Sequence, residues 1–380
     1  MPPIVPPLAE VFAMTPDFRS ARGKRHSLQA LLLLACVAML AGAQGQSGIA
    51  DWAKNYGEPW RTRLGFTHAK GPSQSTIQRV FARIAVETLE AQLAQWMQQV
   101  IAALTTDARD DATLDGVAMD GKTLRMSAHC GAVNAHLLSL FSHHRGVVLG
   151  EVAVADKTNE ITASADALAM LFLTGIVITG VRVPLGRFTQ QAIAETIVEA
   201  GNDYLLMVKE NQPTLHEEIA ILFADPDADC SSAAQTSVHS QRIEQHRLRA
   251  STELVGYTDW PGLAQTLCME RRVTDRRTGE THAAIAYAVT SLTAHQATPA
   301  QLLTLWREHW HIENKLHWVR DVTFGEDAST VRAGVGAQAL AALRNLAIGL
   351  LRLAGATNSA AACRRYAAQP ALALMAVGLA

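Results

Sequence analysis

The hydrophobic periodicity of the sequence changes once, near residue 110, and this change limits the fold more than any other feature. Helical spacing of apolar residues covers most of Leu28–Leu104, and the acidic stretch TTDARDDATLDG then interrupts it. Short strand-like runs follow: VAMDG (117–121), HLLSLF (136–141), GVVLGEVAV (146–154), IVITG (176–180) and DYLLMVK (203–209). The pattern predicts an all-α N-terminal domain, residues 1–105, followed by an α/β domain, residues 112–355.

The order of the elements after residue 112 predicts a particular sheet. Helical patterns over 161–173 and 190–200 alternate with the last two strands, after an initial meander of three strands. Strand–helix–strand connections are almost always right-handed and join parallel strands. This α/β arrangement is the mixed sheet of RNase H-like folds. A β-rich insertion at about 236–292 and a helical region over Pro299–Leu353 follow, and residues 356–380 form a C-terminal tail.

Positive charge is concentrated near the start of the chain, although the whole chain is nearly neutral. The 33 Lys and Arg residues and 35 Asp and Glu residues give a net charge of −2, which excludes a uniformly basic, histone-like protein. Between Thr15 and Ile84, ten basic and three acidic residues give this segment a charge of +7. The asymmetry predicts a surface for a polyanion, although a solvated helical face would show the same count.

The segment GPSQSTIQRVFARI within this basic region has the pattern of an amphipathic helix. Ser73 or Ser75 is a suitable N-cap, and the apolar residues that follow have helical spacing. Arg79 and Arg83 lie on the polar face, as do two glutamines. Polar and basic side chains near a helix N-terminus are typical of a helix that reads the major groove of DNA, and also of many ordinary surface helices.

The cysteines and apolar runs indicate a reducing, aqueous compartment. Five cysteines lie far apart without a CxxC pair, so we expect neither a disulfide framework nor a cysteine-based zinc site. The N-terminal MPPIVPPLAEVF lacks the features of a signal peptide. The apolar run Leu28–Ala43 is shorter than the roughly 20 residues that span a bilayer, which predicts a buried helix. We therefore expect a cytoplasmic protein with no membrane partner.

Asp120 is the first candidate for a chemical role. It ends a five-residue strand and is followed at once by Gly121 and Lys122. A carboxylate at the end of a strand, next to a glycine that permits close approach, is typical of a ligand for a divalent metal. An Asp-Gly pair is also common in simple turns, so the pattern leaves both interpretations open.

The segment LWREHWHIENKLHWVRDVTFGEDAS is the second candidate site. Helical spacing places five side chains on one side: Trp306, His309, Glu313, His317 and Arg320. One acid surrounded by these groups is compatible with a metal ligand flanked by contacts to phosphates and bases. Packing of the His and Trp side chains, or a His–Glu pair four residues apart, would also explain it. A zinc site is disfavoured because the HExxH spacing and cysteine partners are absent.

Ten blocks in the chain together resemble the DDE-type insertion-sequence transposases, in the branch that contains the H-repeat-associated proteins. The resemblance runs along nearly the whole chain. The blocks are, in order, DFRSARGKRHSLQALLLLACVAMLAG, IADWA, PSQSTIQRVF, AMDGKTLR, DKTNEI, GNDYLLMVKENQPTL, HSQRIE, WPGLAQ, HWHIENKLHWVRDVTFGEDAS and LRNLAIGLLR.

The resemblance implies a helical, transposase-associated N-terminal domain and an RNase H-like catalytic domain with a β-rich insertion. It also implies three carboxylates that hold two Mg²⁺ ions, for which Mn²⁺ can substitute. Asp120 matches the first acid of the family and Glu313 the third. The family's Tyr, Arg and Lys around that glutamate correspond to Trp306, His309 and Arg320 here. The implied partners are double-stranded DNA, as terminal repeats and target, and a second copy of the chain.

The second acid of the family has no evident counterpart. It follows the fourth strand, but here that position is occupied by VRVPLGRF (181–188), which contains no carboxylate and is about four residues too long. Asp203 opens the fifth strand and is expected at the opposite edge of the sheet. Glu210 follows the end of that strand, on the correct edge, and is the predicted surrogate metal ligand.

The sequence as a whole predicts a DNA transposase of an insertion sequence that binds element ends and catalyses metal-dependent strand cleavage and transfer. Without the second acid, catalysis is expected to be slow or absent. The alternatives are a non-catalytic DNA-binding remnant and a host-adapted nuclease of the same fold. The predicted contacts with DNA are Arg79, Arg83, Lys122, Lys209, Asn211, Gln212, Arg242, His309 and Arg320.

Overall fold

The computed structural model describes residues 5–22, 24–56, 58–105, 114–125, 135–154, 160–171, 175–180, 187–210 and 212–379. Its N-terminal part is helical, as the sequence predicts. The helices there are α1 (Leu8–Ala13), α2 (Leu28–Leu40), α3 (Gln46–Tyr56), α4 (Gln74–Phe81) and α5 (Val86–Thr105).

Helix α2 is the centre of this helical part. Ser27 caps it by accepting a hydrogen bond from the Ala30 N–H (3.1 Å). All of its residues except Gln29 are buried, because a helix that is apolar on every side must be enclosed by other elements. Helices α1 and α3 pack against it, together with helices from the end of the chain. Among the described residues, no helix has both the length and the hydropathy needed to cross a bilayer.

A nine-stranded mixed sheet forms the second part of the molecule. Its strands are β1 (Gly116–Thr123), β2 (His136–Ser142), β3 (Val148–Val154), β4 (Val177–Gly180), β5 (Asp203–Val208), β6 (Ser231–Val238), β7 (Arg242–Ser251), β8 (Gln265–Asp275) and β9 (Thr281–Thr290). Their spatial order is β3-β2-β1-β4-β5-β9-β8-β7-β6. Strands β1 to β3 form an antiparallel meander, and β4 lies parallel to both β1 and β5. The predicted RNase H-like sheet is thus present.

The β-rich insertion continues this sheet. It was predicted at about 236–292, and the structure begins it earlier, at Ser231, and ends its last strand at Thr290. Strand β9 pairs with β5 in antiparallel orientation, and β8, β7 and β6 follow as a meander. The insertion therefore covers the edge of β5, whose backbone groups would otherwise lack partners in the sheet.

Helices pack on the sheet and complete the core. They are α6 (Glu160–Ala169), α7 (Arg187–Glu199), α8 (Pro213–Ala224), α9 (Pro299–Glu308), α10 (Gly336–Leu353), α11 (Ser359–Ala368) and α12 (Pro370–Ala376). The predicted C-terminal tail thus forms two helices, which pack against α2. One hydrophobic core contains residues from the N-terminal helices α1–α5, from the sheet and from α10–α12, so it extends across the predicted boundary near residue 105.

The long helical region predicted after Pro299 is interrupted. Helix α9 ends at Glu308, and two π-helical segments follow, π1 (Ile312–His317) and π2 (Val319–Thr323). A loop then leads to α10. The periodicity of the sequence does not distinguish a π-helical turn from an α-helical one, because their side-chain spacings differ by less than one residue per turn.

Candidate metal centre

Asp120 lies near the middle of the sheet. It is paired with Ser139 of β2, and its neighbour Met119 is paired with Gly180, the last residue of β4. The chain that leaves β4 therefore begins beside Asp120. A Cβ atom at Gly121 would overlap the ring of His136, so this glycine makes room for a neighbouring side chain on β2.

Two side chains from segment π1 approach Asp120. The candidate ligand atoms of Asp120, Glu313 and His317 all lie within 4.8 Å of one another. His317 Nδ1 is 3.7 Å from Asp120 Oδ2 and 3.5 Å from Glu313 Oε2. The side chain of Glu313 is 50% exposed, whereas that of His317 is 5% exposed. These three residues, called the metal cluster below, form a site with one buried wall and one open side.

The packing of π1 determines which of its side chains face the sheet. Ile312 and Leu316 are buried in the hydrophobic core and hold one side of the segment. Glu313 and His317 are four residues apart, close to one full turn, so they lie on the same face. Segment π1 contacts β1, which brings this face to Asp120. Single π-helical turns occur frequently at functional sites.

Positive groups near the metal cluster favour the ionised form of its acids. His317 is the main cause that lowers the pKa of Glu313, and the charge of Lys122 adds to this effect, while partial burial opposes it. Lys122 Nζ donates a hydrogen bond to Asp321 Oδ2 (2.7 Å) and lies 3.8 Å from Asp327 Oδ1. Lys122 therefore occupies a fixed position beside the cluster.

Arg320 lies on the buried side of π2. Its Nε donates to both carboxylate oxygens of Glu326 (2.8 and 3.0 Å), and its Nη1 donates to Glu151 Oε2 (2.8 Å). Arg344 Nη1 also donates to Glu326 Oε2 (3.0 Å). Glu151, Arg320, Glu326 and Arg344, called the buried ion-pair network below, are all buried. The predicted contact of Arg320 with DNA does not fit this position, because protein encloses its guanidinium.

His309 is also buried, between the sheet and the end of α9. Its Nδ1 is 2.9 Å from Thr179 Oγ1, and the same hydroxyl is 2.9 Å from His143 Nε2. Burial lowers the pKa of His309 to about 4 and that of His143 to about 3, so both rings are neutral at pH 7. His309 thus links α9 to β4 through Thr179. It presents no charge to a phosphate, in contrast to the contact that the sequence predicted.

Two family models match the chain over most of its length. The DDE_Tnp_1-associated model matches residues 9–97, and the Transposase DDE domain model matches residues 111–350. The second match alone spans more than half of the chain. The chain belongs to the DDE transposase family. The resemblance stated from the sequence blocks is therefore confirmed.

Several relatives of this transposase-family chain align with it over most of their lengths. The protein YbfL of Escherichia coli K12 is 32% identical over 364 residues, which cover 90% of each chain. The H repeat-associated protein YhhI of the same strain is 31% identical, again over 90% of each chain. YncI of E. coli O157:H7 is 31% identical over 91% of this chain and 87% of the relative.

A solved transposase structure was also matched. It is the piggyBac transposase in a synaptic complex with hairpin DNA, at 8% sequence identity and a TM-score of 0.40. The match covers 97% of this chain and 76% of the piggyBac chain.

The remaining predicted DNA contacts near β5 have different surroundings. Lys209 is exposed just after β5, and Lys122 is mostly enclosed beside Asp321. Gln212 is fully buried before α8, and its amide has no hydrogen-bond partner among the described residues. Asn211 lies outside the described residues. Of these four, only Lys209 presents an exposed cationic side chain in the described structure.

The predicted contacts distant from the metal cluster are exposed arginines. Ser73, rather than Ser75, caps α4 by accepting a hydrogen bond from the Thr76 N–H (3.3 Å). Arg79 is exposed on the last turn of this helix, and Arg83 follows the helix with its guanidinium over the Phe18 ring. Arg242 is exposed at the start of β7 and is paired with a glutamate on its own strand (2.7 Å).

Glu210, the predicted surrogate ligand, does not join the metal cluster. Leu206 of β5 is paired with Gly180 of β4, so Glu210 lies four residues beyond the level at which β4 ends. Strand β5 ends at Val208, so Glu210 also lies beyond the end of the strand. The side chain of Glu210 is exposed. Residues 181–186, where the family carries its second acid, lie outside the described residues.

His317 occupies the position of a third ligand instead. The sequence pattern placed His317 on the same face as Glu313, but it assigned no metal-binding role to the imidazole. The signal that could have found it is the four-residue spacing from the acid that matches the family. Two carboxylates and one imidazole form a donor set for a divalent cation, and the open side leaves space for water or substrate. The DDE family implies a divalent metal, and these residues fit one ion.

Proposed function

We propose that this chain is a DNA transposase that cleaves and transfers DNA strands with a divalent cation held by the metal cluster. One observation carries the proposal: Asp120, Glu313 and His317, from distant parts of the chain, place candidate ligand atoms within 4.8 Å of one another. Membership of the DDE family supports it, because the cluster contains the two acids that match the family's first and third.

The side chains around the cluster have distinct tasks in this proposal. A bound cation would polarise the phosphodiester and lower the pKa of a bound water or hydroxyl nucleophile. Asp120, from the rigid centre of the sheet, and Glu313, from the half-exposed face of π1, would orient that cation toward the open side. His309 is neutral and hydrogen-bonded to Thr179, and holds the start of this helical region against β4.

DNA would approach from the open side of the cluster. Lys209 is exposed at the neighbouring strand end, and Trp310 and Trp318 are about half exposed on either side of Glu313 along the chain. Cationic side chains bind phosphates, and exposed aromatic rings stack on bases. Arg79 and Arg83 would contact double-stranded DNA of the terminal repeats through the N-terminal helices.

The assembly and its location are also part of the proposal. One chain would bind each end of the element, so that two copies hold the two terminal repeats and the target DNA together. We infer a cytoplasmic protein that acts on the nucleoid, since its substrate is chromosomal DNA.

A second candidate function is a non-catalytic remnant that occupies element ends. It is favoured by the lack of any carboxylate in residues 181–188, where the family carries its second acid. Such a protein would bind the ends as tightly as an active transposase and would leave the strands intact.

Cleavage of a plasmid that carries the element's own ends tests the proposal. The full chain is incubated with the plasmid in Mg²⁺ or in Mn²⁺, and nicking is measured beside binding of the ends by mobility shift. We expect cation-dependent nicking that falls at least about a hundredfold in Asp120→Asn, because a metal ligand is lost while binding persists. Asp227→Asn, an exposed acid after α8, is the matched control and should cleave normally.

A repaired variant separates the two functions. In this variant Val181–Phe188 is replaced by a short turn that contains one Asp. If the natural chain and Asp120→Asn are equally inactive while the repaired variant nicks DNA, the remnant function is correct. If the natural chain nicks DNA and Asp120→Asn does so at the same rate, the metal cluster is not the active site.

A further inference from the structure

We infer that the metal cluster is a single-ion site that binds a first-row transition dication, such as Mn²⁺ or Zn²⁺, more tightly than Mg²⁺. The inference rests on the metal site of the proposed function but is independent of DNA cleavage. It follows from the presence of one imidazole nitrogen beside two carboxylates in the cluster.

The distances within the cluster favour a shared cation over direct pairing. Hydrogen bonds between a charged nitrogen and a carboxylate are about 2.7–2.9 Å long. His317 Nδ1 is 3.5 Å from Glu313 Oε2 and 3.7 Å from Asp120 Oδ2, so it forms a close bond with neither acid. Ligands at about 2.0–2.2 Å from a common ion are roughly 3.0–3.5 Å apart. The two histidine distances are close to this spacing, and the three ligand atoms, which lie within 4.8 Å of one another, would move closer around a bound ion.

The environment of His317 is the second observation. The residue is 4% exposed, and its Nε2 is buried without a hydrogen-bond partner among the described residues. The Nδ1 atom of His317 faces Asp120 Oδ2 and Glu313 Oε2, so a cation bound between the acids would meet this nitrogen as a third donor. The chain thus presents three electron-pair donors to one enclosed point.

The chemistry of these donors decides the class of ion. Mg²⁺ requires oxygen ligands in near-octahedral geometry and loses its water reluctantly. Imidazole nitrogen binds transition dications, and mixed carboxylate and imidazole sets are common for them. His317 therefore adds more to the affinity for Mn²⁺ or Zn²⁺ than to the affinity for Mg²⁺.

The charge of the site limits the number of ions to one. Among the described residues, the acids that meet at the cluster are Asp120 and Glu313, and their two negative charges balance a single dication. Residues 181–188 contain no acid that could compensate a second one, and the nearby Asp321 already accepts a hydrogen bond from Lys122. A second dication would leave uncompensated positive charge at the cluster.

Calorimetric titration of the metal-free full chain, without DNA, tests the inference. Mn²⁺, Zn²⁺ and Mg²⁺ are titrated separately, and paramagnetic resonance of Mn²⁺ counts the bound ions. We expect one ion per chain and an affinity for Mn²⁺ and Zn²⁺ at least about tenfold above that for Mg²⁺. His317→Gln, which offers an amide oxygen instead, should weaken Mn²⁺ and Zn²⁺ binding about 10–100-fold and change Mg²⁺ binding little.

Two further variants make the result decisive. His239→Gln changes an exposed histidine near the β6–β7 turn and should bind all three ions as the natural chain does. Glu313→Gln removes the charge of a half-exposed ligand and should weaken binding of every ion. Equal affinity for Mg²⁺ and Mn²⁺, two bound Mn²⁺ ions, or equal losses for all ions in His317→Gln would each overturn the inference. Selective binding without plasmid nicking would contradict the proposed function alone.

Discussion

The metal cluster and the buried ion-pair network both take residues from the π-helical region, and they have opposite properties. The metal cluster has an exposed acid and an open side, and its three groups are separated by more than a hydrogen-bond distance. In the buried ion-pair network, Arg320 and Arg344 bind Glu151 and Glu326 at 2.8–3.0 Å, out of contact with water. The metal cluster has space for a cation from solution, whereas the cations of the buried ion-pair network are the guanidinium groups of Arg320 and Arg344.

The difference shows that residue type alone does not assign a role. Burial would raise the pKa of Glu326, but the charges of Arg320 and Arg344 outweigh it and lower the pKa. Those same arginines would be candidates for phosphate contacts if they were exposed. The pKa of Glu313 is lowered as well, yet this acid faces solvent. The two acids differ in their partners: buried arginines of the protein neutralise Glu326, whereas Glu313 faces the open side of the metal cluster.

The largest effect on stability is expected from removing the central cation of the network. Arg320→Met should lower the free energy of unfolding by about 3–5 kcal/mol, because Glu151 would lose its cation and Glu326 one of its two while both stay buried. Urea denaturation followed by circular dichroism measures the change. Arg365→Met, at an exposed position on α11, is the control and should change stability by less than about 0.5 kcal/mol. If Arg320→Met lowers the free energy of unfolding by less than about 1 kcal/mol, the buried ion-pair network does not have the stabilising role that distinguishes it from the metal cluster.

An intermediate effect on stability is expected when the pH is lowered, because His143 is buried in its neutral form. Burial is the main cause that lowers its pKa from 6.5 to about 3, and repulsion from the protonated forms of the neighbouring His309, His311 and Lys315 adds to the effect. The folded protein therefore resists protonation at His143, while the unfolded chain accepts a proton near pH 6.5.

The sign of the pH dependence follows from this difference. As the pH falls from about 6.5 toward 4, the unfolded state binds more protons, so the free energy of unfolding should fall by about 1–3 kcal/mol. Urea denaturation at several pH values measures the slope, and His143→Gln should make it shallower. Glu308 Oε2 lies 3.8 Å from His143 Nδ1. If stability depends on pH equally in the natural protein and in His143→Gln, the charge of Glu308 stabilises the protonated ring in the folded state, and the expected effect of burial is wrong.

The smallest effect on stability is expected at Glu90, a buried glutamate that forms no ion pair among the described residues. Burial is the main cause that raises its pKa to about 9, and Glu151 adds to the effect. The Gln338 amide donates to both Glu90 oxygens (3.1 and 2.9 Å). Glu90 is therefore protonated at pH 7, and Glu90→Gln should change the free energy of unfolding by less than about 1 kcal/mol at pH 6.

The pH dependence of Glu90 has the opposite sign to that of His143. The folded state keeps the Glu90 proton up to about pH 9, whereas the unfolded chain loses it near pH 4.5, so stability falls as the pH rises between these values. Glu90→Gln should reduce this loss in denaturation experiments at pH 6 and pH 8.5. Glu326→Gln is the comparison, because it removes an ionised carboxylate. If Glu90→Gln lowers the free energy of unfolding as much as Glu326→Gln does, Glu90 is ionised in the folded protein.

Much of the fold follows from local patterns. The RNase H-like class of the central sheet was predicted from five short apolar runs and two helical stretches, because parallel crossovers have a fixed hand. Asp120 and Glu313 were predicted from motifs that match the family, and the structure brings them together. The continuity of the insertion with β5 was not predicted, because strand pairing between distant segments leaves little trace in one sequence.

Three of the predicted DNA contacts, His309, Arg320 and Gln212, are buried, and local sequence patterns did not indicate this. Their burial depends on residues far away in the sequence, such as Glu151 for Arg320 and Thr179 for His309. A polar residue on a helix gives no local sign of whether a distant partner will cover it.

The amino-acid sequence by itself determined the family, the alternation of strands and helices, and the two acids of the metal cluster. Only the tertiary structure decided that His317 completes the cluster, that Glu210 lies away from it, and that Arg320 belongs to the buried ion-pair network. The reason is that local patterns depend on neighbours along the chain, whereas burial, ion pairing and ligand geometry depend on which distant segments pack together.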